Sequence, residues 1–97
     1  MTEPTQMAPG LLAHDRRSEE RYAADGYVHL RLESPQQMIV RGRLLDISEH
    51  GMRVEHMYTS LASGMVLQVE VDGVLRTARV MWNRITSEGV DSGFYLI

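Results

Sequence analysis

Leu67-Gln68-Val69-Glu70-Val71-Asp72-Gly73-Val74-Leu75-Arg76-Thr77-Ala78 is the stretch that decides the fold class. Leu67, Val69 and Val71 alternate with Gln68 and Glu70, so an extended chain presents one apolar face and one polar face. Asp72-Gly73 then interrupts the alternation. Both residue types tolerate the positive φ that a two-residue hairpin turn demands at its centre. From residue 74 to about residue 85 the pattern resumes, with Ala78, Val80 and Trp82 expected on one face. The reading is a pair of antiparallel strands joined by a tight turn.

The same signal recurs on both sides of this hairpin. Val28, Leu30 and Leu32 alternate with His29 and Arg31, and Ser34-Pro35-Gln36-Gln37 ends that run. Residues 38–47 read as a second strand, with Gly42 as a bulge or a point of close backbone approach. Met52, Val54 and His56 alternate in a third. The hairpin supplies the fourth and fifth. Ser87-Glu88-Gly89 turns the chain, and residues 93–97 close it as a sixth. No helical stripe is long enough to cover a sheet face. An all-β domain is therefore expected, with six antiparallel strands closed into a β-barrel that hides its edges. Trp82 is expected inside it with Val80 and Ala78, and Met38, Met52, Met65 and Met81 as core or rim filler. Met57-Tyr58 reads either as an exposed apolar lip or as an anchor on the barrel end.

Composition bounds the function. The chain has 97 residues, enough for one domain with a modest core. It has no Cys, which excludes disulfides, thiolate metal sites and cysteine nucleophiles. A net charge of −3 argues against broad binding to a nucleic acid polymer or an acidic membrane surface. No apolar run approaches the roughly 18 residues of a membrane-spanning helix, so no membrane insertion and a cytoplasmic location are expected. Residues 1–14, with Pro4, Pro9 and Gly10, read as a flexible N-terminal tail.

Two motifs carry chemistry. Arg16-Arg17-Ser18-Glu19-Glu20-Arg21 places Arg17 and Arg21 four apart. On a solvated helix over residues 11–24 they form a mildly unfavourable like-charge pair. On a loop they offer two planar forks able to grip a phosphate, or O6 and N7 of guanine. Asp46-Ile47-Ser48-Glu49-His50-Gly51 ends one strand and begins the next. As a turn, Asp46 and Ser48 cap backbone N–H groups and Gly51 takes positive φ. As a ligand site, Asp46 accepts from the N1–H and N2–H edge of guanine, Ser48 bonds phosphate or steadies Asp46, and Gly51 lets the backbone approach a flat ring.

The two motifs, in this order around the first strands, resemble the paired signature of the PilZ family, whose best-known members bind the bacterial second messenger cyclic di-GMP. The resemblance extends loosely over residues 15–97 and includes Val80-Met81-Trp82 and Gly93-Phe94. It implies a six-stranded PilZ-type barrel and a cyclic di-GMP site built from Arg17, Arg21, Asp46, Ser48 and Gly51. Arg16, beside them, is expected to touch a second, stacked nucleotide. The implied function is a non-enzymatic receptor that closes its arginine loop over the nucleotide and signals to a downstream protein. The alternative is an adaptor of the same fold, in motility or pilus systems, that binds no nucleotide.

Other chemistry is poorly supported. Ser48 and His50 lack a third, orienting group for nucleophilic catalysis. His14, His29, His50 and His56 lack metal-ligand spacing, so no metal and no cofactor are expected. A small barrel that binds single-stranded nucleic acid needs a basic groove with exposed aromatics, and the acidic balance speaks against it.

Overall fold

The computed structural model describes residues 26–97 and the backbone of Tyr22 and Ala23. Among the described residues every regular element is a strand: β1 (Tyr22–Ala23), β2 (Tyr27–Leu32), β3 (Met38–Ile47), β4 (Gly51–His56), β5 (Val66–Val71), β6 (Val74–Thr86) and β7 (Gly89–Leu96). All pairings are antiparallel. They run β3–β2–β5–β6–β7–β4, and β4 returns to β3, so six strands close into a barrel. The two-residue β1 lies on β3 beyond the end of β2. Among the described residues no helix is long and apolar enough to cross a membrane.

The expected alternation builds the interior. Val28, Leu30 and Leu32 point inward from β2, Met52 and Val54 from β4, Leu67 and Val69 from β5, and Phe94 and Leu96 from β7. Each such side chain removed from water contributes about 1.5–3 kcal/mol. Leu61 plugs the core from the β4–β5 connection. Asp72 and Gly73 both have positive φ, 52° and 79°, as the hairpin reading requires. Gly42 is the close-approach point. A Cβ there would meet Val54 Cγ1 at 2.5 Å and the Glu55 carbonyl at 3.0 Å.

Two one-residue slips in the ladders change what the barrel presents outside. Leu44 pairs with Val54 but Asp46 pairs with Arg53, so Leu45 is an extra residue in β3. Val80 pairs with Phe94 but Trp82 pairs with Gly93, so Met81 is extra in β6. Each bulge inverts the strict period-2 phase for the remainder of its strand. Val80 faces the core, yet Trp82 does not. It lies on the outer wall, 41% exposed, and Met81 is exposed beside it. This corrects the expectation that Trp82 packs inside with Ala78 and Val80; Met81, expected as core or rim filler, is exposed on the outer wall. The last strand also begins at Gly89, four residues before the expected 93, because the β6–β7 hairpin is paired to its tip at Thr86 and Gly89. Met57 and Tyr58 divide the two roles expected of them: Met57 is exposed and Tyr58 packs against the core.

Candidate functional site

The turn between β3 and β4 is tied down from within. The Ser48 amide donates to the Gly51 carbonyl at 2.8 Å, and the buried Ser48 hydroxyl donates to the same oxygen at 3.3 Å. The Leu96 amide donates to the His50 carbonyl at 2.8 Å, which fastens the turn to β7. Ser48 therefore serves the turn, as its residue type allows. Gly51 opens β4 opposite Tyr95. Among the described residues positive φ falls at Asp72, Gly26, Gly64, Gly73 and Gly89 and not at Gly51. The left-handed role expected of Gly51 in a plain turn is thus not the reason for a glycine there.

The two bulges bring distant residues into one row on the outer wall. Ala23, Asp46, Arg53, Gly93 and Trp82 are successive partners across β1, β3, β4, β7 and β6. Strands lie about 4.8 Å apart, so the row from Asp46 to Trp82 spans about 14 Å. Arg53 Nε stands 3.0 Å from Asp46 Oδ2. The distance is that of an ion pair, but the N–H is not aimed to make a hydrogen bond, and this buried nitrogen has no hydrogen-bond partner among the described residues. Trp82 lies over Gly93, where any Cβ would collide with the indole ring. One row away, the His50 and Tyr95 rings are stacked, with centroids 6.1 Å apart and planes 14° from parallel. Sequence reasoning passed over Arg53 and Tyr95. The available signal was their outward phase, each flanked by inward core positions (Met52 and Val54 around Arg53, Phe94 and Leu96 around Tyr95).

Arg16, Arg17 and Arg21 lie outside the described residues, as does the tail over residues 1–14. The structure does, however, place the point where the chain enters the barrel. Tyr22 pairs with Ile47 and Ala23 with Asp46. Ile47, opposite Tyr22, lies between Asp46 and Ser48 in the chain, and Tyr22 follows Arg21 in the sequence.

A groove of about 300 Å³ opens farther along the same strands, lined by Tyr27, Arg41, Arg43, Glu55, Met57 and Glu88 among others. The Arg41 guanidinium lies 3.8 Å from the centre of the Tyr27 ring. The groove includes none of Asp46, Ser48 and Gly51, and its Arg43–Glu55 pair, at 2.9 Å, is part of the ladder of ion pairs along the outer wall.

At the far end of β4 the polar groups form a closed chain. His56 Nδ1 accepts from the Tyr58 amide at 3.1 Å, so the proton of the neutral ring sits on Nε2. That N–H donates to Ser92 Oγ at 2.7 Å, the Ser92 hydroxyl donates to Asn83 Oδ1 at 2.5 Å, and Asn83 Nδ2 donates to the Leu61 carbonyl at 2.8 Å. Burial pushes the His56 pKa below its ordinary 6.5, against the opposing pull of nearby Asp91. Among the described residues no group of His, Asp and Glu side chains is arranged to hold a metal ion.

The family model described as the PilZ domain matches residues 15–95. That span covers nearly the whole chain and contains both motifs. No curated protein matches the chain.

Proposed function

The chain belongs to the PilZ domain family, and from that membership we propose that it is a receptor for cyclic di-GMP rather than an adaptor that binds no nucleotide. PilZ domains are generally non-enzymatic binding domains, and the family as a whole supports a role in cyclic di-GMP binding or as an adaptor of this fold. In the proposed complex the Asp46 carboxylate accepts from the N1–H and N2–H edge of a guanine. Gly51 leaves room for the ring. Arg17 and Arg21 close over the phosphates, and Arg16 reaches a second, stacked nucleotide. Ser48 acts chiefly by holding the turn that presents Asp46. The ordering of the arginine segment by the ligand is the signal, which a downstream protein reads.

The observation that supports this reading best is the register of β1. It sets Tyr22, the residue after Arg21, opposite Ile47, so Arg21 and Arg17 precede a strand position beside Asp46 by one and five residues in the sequence. A nucleotide with two phosphates and two guanines needs both donor and acceptor groups, and the two motifs supply them separately.

The test is isothermal titration of the chain with cyclic di-GMP, with cyclic di-AMP and GTP as controls. Selective binding at micromolar or lower concentration is the expected result. Losing one charge-assisted contact costs about 1.5–3 kcal/mol, so Arg17→Ala and Arg21→Ala should each weaken affinity by roughly 10–150-fold with an unchanged melting temperature. Unchanged affinity in both variants removes the arginine site. A stoichiometry of one nucleotide per chain removes the role given to Arg16. No heat with the native chain turns the reading to the nucleotide-independent adaptor.

A further inference from the structure

We infer that Arg53 is a positioning residue for the nucleobase site, acting through Asp46; the inference rests on the receptor reading above. A carboxylate that must take both N–H groups on one edge of guanine needs its plane held, because rotation about its last side-chain bond is soft. The bulge at Leu45 sets Asp46 directly opposite Arg53 in the ladder. There Nε approaches Oδ2 at 3.0 Å.

The division of the Arg53 side chain supports this role. As a whole it is 40% exposed, whereas Asp46 is 18% exposed. The part that is buried is Nε, and it is the part against Asp46. A buried N–H without a hydrogen bond is unfavourable, and Asp46 Oδ2, 3.0 Å away, is an acceptor within reach of completing one. Nε is then satisfied, and one carboxylate oxygen is fixed. Each carboxylate oxygen has two acceptor sites, so Oδ2 can serve Arg53 and the base together. Arg53 also sets a positive charge behind a carboxylate that must stay in place as phosphates approach.

The neighbouring row does not offer an equivalent. Arg43 meets Glu55 through both Nε, at 3.2 Å, and a terminal nitrogen, at 2.9 Å, on the same oxygen. That pair is already hydrogen-bonded and has no orphaned N–H to bias a rotation.

A double-mutant cycle tests the assignment, with cyclic di-GMP affinity measured for the native chain, Arg53→Ala, Asp46→Asn and the double variant. Melting curves accompany each, and Arg53→Gln replaces Arg53→Ala if the latter fails to fold. The expected result is a loss of at least about 10-fold for Arg53→Ala alone, the size of one charge-assisted contact. In the Asp46→Asn background the same change should cost less than about 3-fold, since the carboxylate that Arg53 holds is already replaced by a neutral group. Equal losses in both backgrounds overturn the inference and make Arg53 a direct or independent contact. Native-like affinity in Arg53→Ala also overturns it while leaving the receptor reading intact. A native chain that binds no cyclic di-GMP overturns both.

Discussion

The two ends of β4 solve the same problem in opposite ways. Both bring polar side chains into the wall of a small apolar barrel. At the His56 end, the imidazole, Ser92, Asn83 and the Leu61 carbonyl satisfy one another in sequence across four chain segments. At the Gly51 end, Arg53 Nε is buried without a hydrogen bond among the described residues, and Trp82 and Tyr95 hold their rings half in water. A closed polar network rigidifies a fold, and an incomplete one is tolerated where a ligand or a movement completes it. The contrast separates a polar cluster that is architecture from the one proposed above as a site, although both lie on one strand.

The strongest way to break this contrast is Ser92→Ala. It leaves the His56 N–H and Asn83 Oδ1 without partners, at about 1–3 kcal/mol for each group. The melting temperature should fall by roughly 10 °C or more, since 1 kcal/mol moves it about 4–8 °C in a domain of this size. Cyclic di-GMP affinity, measured at a temperature where the variant is folded, should stay within about 3-fold of native, as expected for distant, independent sites. Lost affinity in a stable variant would mean the closed end is part of the site.

A smaller effect comes from acid. Because burial lowers the His56 pKa, the unfolded chain takes up a proton near pH 6.5 before the folded chain does. Stability is therefore full above about 6.5 and declines as pH falls from there toward the folded-state pKa. Thermal melts across this range should show the decline, and His56→Gln should flatten it. A native curve with no slope between about pH 6.5 and 5 would contradict the network.

Gly93→Ala probes the open end. It should expel the indole from its seat and shift the fluorescence of Trp82, the single tryptophan of the chain, to longer wavelength. Because the ring is already on the surface, stability should change by less than about 1 kcal/mol. The smallest effect belongs to Arg31→Ala, which removes an exposed ion pair to Glu70 at 2.7 Å. A pair of this kind is worth about 0.2–1 kcal/mol, and chemical denaturation should show no more.

Much of the barrel was legible from local pattern. Val28, Leu30 and Leu32 announced a half-buried strand, and Asp72-Gly73 announced its hairpin, because side-chain alternation and positive φ are properties of single residues and their neighbours. The motif around Asp46 was legible as a strand-to-turn junction for the same reason. Arg53 was legible only as an outward-facing position between Met52 and Val54, because its partner is fixed only when the neighbouring strand is set beside it.

The sequence by itself determined that the chain is a closed antiparallel sheet with its apolar residues inside, since the period of 2 and the turn residues act over a few bonds. Only the tertiary structure decided what stands outside. The extra residues Leu45 and Met81 each slip a ladder by one, and a slip of one exchanges the faces. Register of that kind is set by packing between strands far apart in the chain. For that reason Trp82, read as core from its spacing, joins Asp46 and Arg53 on the outer wall.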